Sequence, residues 1–526
     1  MKLRLACRAA VGLCGLVLLA CGGQPAGATG TGASGSAATA RGATVSGTPG
    51  IGTTSGATAL PAGRIPAGDW TQFDHDAQRS GTGASPPGIR ADNLGRLRLR
   101  TVRVDGIVDS AAVELHSVFV DGARHDLVAV TTSYGRTIAI DPRTGRRLWE
   151  VRPSGVDSTP GNPQVTTASP IVDPDRRYIY SASPNGVIHK LAVSNGRQVW
   201  QTRVTLDPTH EKIASSLNIS GAWVVVVTGG YIGDAPPYDG HLVTIDRSNG
   251  RIDHVFNTEC SNRHRLIRAS SCPVTNTRGD NAIWGRAGAV IEPGSGRILV
   301  ATGNGPFDGH NSWGDSVLEL SPDASALLHN WTPPNERALD EGDVDIGSSS
   351  PALLPPFHGR RLAVQGGKDG RLHLLNLAAL DGTSGPAGPR LGGELGEVAA
   401  PGGGQVLPQP AMWDSRGQIW LFAATGSGTA GYQLVGARHP RLVMRWQRGT
   451  AGTSPVIAGG LLYVYDPGGG IDVRRPRSGA LLRRLPAGAG HWNSPIVVGG
   501  RIIEPTGAYG SGAASSMIDI YHLPGR

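Results

Sequence analysis

The chain has 526 residues, a formal charge of +8 and only 17% charged residues, with 78 glycines and 38 prolines. That mixture favours many short strands joined by tight turns over helices, and the length exceeds one ordinary domain unless the architecture repeats. The arginines are scattered without a dense basic run, so the charge gives no support to a nucleic-acid partner. Only Lys2, Lys190, Lys212 and Lys368 are lysine among 49 basic residues, so a lysine in the folded part is an exception to note.

In chain order, "MKLRLACRAAVGLCGLVLLACGG" has a basic start, an apolar stretch of about a dozen residues and small residues at its end, the pattern of a secretory signal rather than a span. Residues 18–21, "LLAC", resemble a bacterial lipobox, which implies a signal peptide over 1–20, cleavage before Cys21 and lipidation of its sulfur. An ordinary signal peptide that happens to contain cysteine is the alternative. Residues 21–67 are nearly all Gly, Ala, Ser, Thr and Pro and cannot bury a core, so a flexible linker is expected. The expected protein is exported, lipid-anchored to a membrane, and faces the periplasm or the cell exterior.

Residues 68–526 are expected to form an all-β domain. From about residue 105 a phrase recurs eight times: a small or polar residue, often Ser-Pro, then an apolar strand, a turn, and a second apolar strand ending in glycine. Its instances start at Ser110, Ser169, Ser216, Gly288, Ser350, Gln409, Ser454 and Ser494. Several continue into a third and fourth strand, most clearly in "RTIAIDPRTGRRLWEVR" (136–152). Such repeats predict an eight-bladed β-propeller with four-stranded antiparallel blades. The last blade lacks one strand, which 94–104 would supply, while 68–81 is expected to pack against the edge of the ring. Trp149, Trp200, Trp331 and Trp446 recur at one blade position and are expected to pack between blades.

The repeat breaks down between Ser216 and Ser350, with extra length at 231–240, 260–285 and 304–315, followed by an acidic stretch at 336–351. Cys260 and Cys272 flank a short loop. In an oxidising compartment a disulfide is the favoured reading, since two thiols with His264 match zinc ligand sets poorly.

The turn formed by Asp141, Thr144, Gly145 and Trp149 resembles the repeat of pyrroloquinoline quinone (PQQ) propeller proteins. Residues 280–376 resemble the cofactor half of the quinoprotein alcohol dehydrogenases. That resemblance implies a quinone stacked on Trp284, and calcium or a lanthanide held by Asn304, Asp343 and Asp345. It makes Asp343 the catalytic base and sets Lys368 against the quinone oxygens. The family's glutamate ligand falls at "GGYIGD", where Tyr231 or Asp234 stands. The sequence has neither adjacent cysteines nor a C-x-x-C-H haem motif, so electrons would leave to a separate acceptor.

Two functions compete. One is a dehydrogenase of alcohols or sugars using PQQ and a metal. The other is a non-catalytic scaffold that binds envelope proteins, as the propeller lipoproteins of outer-membrane assembly do. A polysaccharide-binding or hydrolytic propeller using Asp343 and Asp345 is a third possibility, for which no sugar subsite is identifiable.

Overall fold

Each recurring phrase becomes the inner half of one antiparallel sheet in the computed structural model, which describes residues 65–83, 88–231, 236–272, 281–380 and 391–525. The expected signal peptide, Cys21, nearly all of the linker, and Asp234 lie outside the described residues. Eight four-stranded sheets form the blades, and a two-stranded ribbon stands apart from them. Blades 1 to 7 occupy 113–151, 171–203, 218–257, 290–331, 352–399, 411–448 and 456–485. Blade 8 combines three strands within 496–522 with the strand Arg98–Asp105, which pairs with Ser515–His522 from Arg98 opposite His522 to Asp105 opposite Ser515. The ring is therefore closed by the segment the strand count required.

Burial explains the sequence texture. Central strands are covered on both faces by neighbouring blades and read as apolar runs, as in the wholly buried Leu461–Tyr465. Fourth strands face solvent, and Leu481–Leu485 is mostly exposed or half-buried. The turn before the fourth strand is built by its aspartate: Asp141 Oδ1 accepts from the amides of Arg143 (2.8 Å) and Thr144 (3.2 Å). The tryptophan that follows locks one blade to the next. Trp149, Trp200 and Trp446 donate their indole N–H to the backbone oxygens of Val193, Arg247 and Pro476, each in the turn of the next blade. Trp331 instead bonds the carboxylate of Glu394 at 3.1 Å. A buried indole with its N–H satisfied gives these interfaces both area and register.

The segment before the ring does not lie along an edge. Its backbone bonds Trp70 to Glu114, Thr71 to Val172, Ala77 to Ile291, Ser80 to Met412 and Gly81 to Ile457, all within 2.8 Å. Those partners sit on the first strands of blades 1, 2, 4, 6 and 7. Only a segment crossing the ring axis can reach them all, so 69–83 plugs the central channel. Arg79, fully buried, holds the plug by donating to the carbonyls of Phe73 (2.8 Å), Leu217 (2.6 Å) and Ala287 (3.1 Å). No helix among the described residues is long and apolar enough to cross a membrane.

Candidate functional site

At the other end of the inner strands, residues that precede the first strands of blades 2, 3, 4, 5, 6 and 8 line a cavity of about 330 Å³, within the range of cofactor pockets. Trp284, Asn304, Asp345 and Lys368 all line it. Two backbone bonds fix the approach to Trp284, Ile283 N–H to Thr228 O (3.0 Å) and Gly303 N–H to Ala282 O (2.8 Å). Glycine follows Trp284 because a Cβ at Gly285 would stand 2.6 Å from the Ser349 carbonyl carbon. Glycine precedes Asn304 for a similar reason: a Cβ at Gly303 would meet Asp345 Oδ1 at 2.2 Å.

Asp345 is the hub. Its Oδ1 accepts from the Asn304 amide (2.8 Å) and from Trp284 Nε1 (3.4 Å), and its Oδ2 bonds Lys368 Nζ. The Lys368 amide donates to Asp345 O at 2.8 Å. Lys368 Nζ also bonds Asp343 Oδ1 at 2.7 Å and stands 5.6 Å from the centroid of the Trp284 ring. Burial alone would lower the Lys368 pKa, but Asp345 and Asp343 outweigh it and hold the ammonium above its ordinary value. Asp343 itself is not among the cavity-lining residues. Its backbone is left-handed (φ +53°) and its side chain is 70% exposed, so it stands on the rim and reaches the cavity only through Lys368.

The opening loop is half turn and half site. Asp308 Oδ1 accepts from the amides of His310, Asn311 and Ser312 within 2.9 Å, an ordinary use of aspartate in a turn. Asp315 is buried, receives the Ile346 amide at 2.9 Å and has its second oxygen unpartnered. Burial, reinforced by Asp345, Asp340 and Glu336, raises its pKa well above the ordinary carboxylate range. Cys260 and Cys272 are disulfide-bonded with Cα atoms 6.0 Å apart. Their loop rests on the opening loop, with Ser261 N–H donating to Asn311 O (3.0 Å) and Trp313 Nε1 to Ser261 Oγ (3.0 Å).

A calcium or lanthanide ion takes six or more hard oxygens. Asn304 offers a buried Oδ1 without a partner, but its Nδ2 is spent on Leu339 O (3.0 Å), and Asp345 is already engaged at both oxygens. Tyr231 lines the cavity with its hydroxyl donated to Pro208 O at 3.0 Å. Among the described residues no three His, Cys, Asp or Glu side chains cluster as ligands. The donor set among the described residues does not form a metal cage.

The cavity suits a flat polyanion better. It has indoles at Trp284 and Trp492 and cations at Lys212, Arg286 and Lys368. The sequence motifs point to neither Lys212 nor Arg286 as a site residue. Lysine scarcity singled out Lys212 as an exception, and Arg286 lies two residues after Trp284, but nothing local placed either at the axis.

The ring is an eight-bladed propeller with a cavity at its axis. Residues 103–251 and 133–327 match the family model described as outer membrane protein assembly factor BamB. The quinohemoprotein alcohol dehydrogenase of Comamonas testosteroni superimposes with a TM-score of 0.62 at 14% identity, over 89% of this chain and 84% of that one. Quinohemoprotein alcohol dehydrogenase ADHIIG of Pseudomonas putida HK5 gives 0.63 at 13% identity, over 87% and 81%. A europium-containing methanol dehydrogenase gives 0.65 at 13% identity, over 88% and 99%. At such identities the likeness is one of fold. No curated protein sequence matches the chain.

Proposed function

We propose that this chain is an exported, lipid-anchored propeller whose axial cavity binds PQQ and oxidises a hydroxyl group of a small alcohol or sugar, passing electrons to a separate acceptor. The observation that carries this reading is the meeting of Trp284, Asn304, Asp345 and Lys368, from four separate loops, at one cavity. Bound PQQ supplies a two-electron acceptor for a carbinol carbon. Trp284 offers its indole face to the ring system. Lys368, held charged by its two carboxylates, would face the quinone's electron-rich oxygens, and the exposed Asp343 on the rim beside it would take the substrate hydroxyl proton. The plug lies against the cavity wall, with Phe73 5.5 Å from the guanidinium of the lining Arg286.

Titration of the protein with PQQ, read by tryptophan fluorescence, tests the proposal. Saturable quenching that disappears in Trp284→Ala, followed by turnover of an alcohol with an artificial electron acceptor that falls in Asp343→Asn, is the expected result. A second reading, a non-catalytic envelope scaffold, is favoured by the BamB family match and by the incomplete metal donor set. Absence of quenching with retained capture of envelope proteins would establish that reading instead.

A further inference from the structure

We infer that Lys212 and Arg286 form a carboxylate-binding floor in the axial cavity, separate from the Lys368 end, and that the cavity's ligand is an aromatic polycarboxylate anchored there. The inference rests on the PQQ reading for the identity of the ligand, but not for the anion site itself.

The three cavity cations are not equivalent. Lys368 is neutralised by Asp343 and Asp345. Lys212 lines the cavity at 5% exposure, and its ammonium makes no hydrogen bond or ion pair with any described residue. It belongs to the two-residue strand Glu211–Lys212, paired with Gly229–Gly230. Alternation along that strand sends its neighbour Glu211 the other way, to Thr205 and His241. Arg286 is fixed by carbonyls rather than acids, donating to Thr167 O (2.5 Å), Ala214 O (3.3 Å) and Trp492 O (3.2 Å), with Phe73 of the plug 5.5 Å beneath its guanidinium. Asp109 is a carboxylate that acts on both cations, but its oxygens are spent on His491 Nδ1 (3.0 Å) and the amides of Trp492 (2.8 Å) and Tyr509 (3.2 Å). Burial pushes the Lys212 pKa down to about 8 and that of Arg286 to about 10, against the opposing pull of Asp109 on both and of the buried Asp74 on Arg286.

A buried ammonium with three free donors beside an open volume is costly unless an anion completes it. The anion demand of the cavity therefore lies at the floor. A flat ligand with carboxylates at its periphery would set one on Lys212 and Arg286 while its face meets Trp284.

The full chain, purified in detergent, is titrated calorimetrically with PQQ, with PQQ trimethyl ester and with pyridine-2,4,6-tricarboxylate, a flat polyanion that is not a quinone. Lys212→Met is expected to weaken PQQ binding at least about tenfold and to leave the ester unchanged, and Lys212→Arg is expected to restore PQQ binding to within a few-fold. Unchanged PQQ affinity in Lys212→Met, with binding lost in Trp284→Ala, overturns the floor and leaves the quinone reading standing. No PQQ binding, but Lys212-dependent binding of the tricarboxylate, sinks the quinone reading and supports the floor. Binding of neither polyanion overturns both. Circular dichroism of each variant confirms the folded state being compared.

Discussion

Replacing Lys212 by methionine should make the ligand-free protein more stable, and the size of the gain should depend on pH in a defined way. Methionine keeps most of the side-chain length while removing an ammonium that is buried without a partner. Burial lowers the pKa of this lysine from its ordinary 10.5 to about 8. In the unfolded chain the amine holds its proton up to about pH 10.5, but in the folded chain it loses it near pH 8, so the unfolded state binds more protons between those values. Stability of the parent protein therefore rises with pH across that window, and the full penalty applies below it. At 1.36 kcal/mol per pH unit, the penalty near pH 7 is about 3 kcal/mol. Urea unfolding of parent and Lys212→Met at several pH values should show the variant ahead by about that amount at pH 7, with the advantage shrinking steadily towards pH 10.5. A constant difference across pH would trace the gain to better packing alone. A less stable variant at pH 7 would mean that the ammonium is compensated in the ligand-free fold, and the argument about an unsatisfied cation would fall.

Arg79→Ala should cost about 4 kcal/mol, because three buried carbonyls lose a charged donor; limited proteolysis should then cut within 69–83 in the variant and leave that segment of the parent intact. Removing the disulfide as Cys260→Ala with Cys272→Ala should cost about 3 kcal/mol for a loop with a sequence separation of 12, measured by thermal unfolding with and without reductant. Glu504 is fully buried with neither carboxyl oxygen partnered, and burial together with Asp519 raises its pKa well above 4.5. Its folded form keeps a proton that the unfolded chain releases, so stability is lost as pH climbs from about 4.5; Glu504→Gln should match the parent at pH 4 and gain on it as pH rises above that value.

The ring was legible because its signals are local. Apolar runs, Ser-Pro starts and aspartate turns each specify a strand or its end within a few residues, and counting strands was enough to assign the closing role to 94–104. The plug was not legible. Nothing in 68–81 repeats, and its place depends on backbone bonds to five blades far apart in sequence. The site divided along the same line. Trp284, Asn304, Asp345 and Lys368 stand in motifs whose spacing could be matched, and the close packing at Gly285 and Gly303 shows why those motifs carry glycine. Asp343 and Asp345 look equivalent in "GDVDIG", yet a left-handed backbone at Asp343 sends one carboxylate to solvent while the other sits at the hub. Lys212 has no motif, and its significance emerges only from what does not surround it.

The shared sheet of blade 8 gives the molecule an unusual assembly order. Arg103 and Ser515 touch across 412 positions of sequence, so this blade stays a three-stranded fragment with a bare edge until its distant fourth strand returns. Loop closure over such a span carries an entropic cost of about 5 kcal/mol beyond that of a local turn, and it is recovered only when the seam zips. Folding should therefore end with one slow, late event rather than eight equivalent ones. The same seam joins the first and last strands of the ring, so its eight opposed residue pairs decide whether the circle is open or shut.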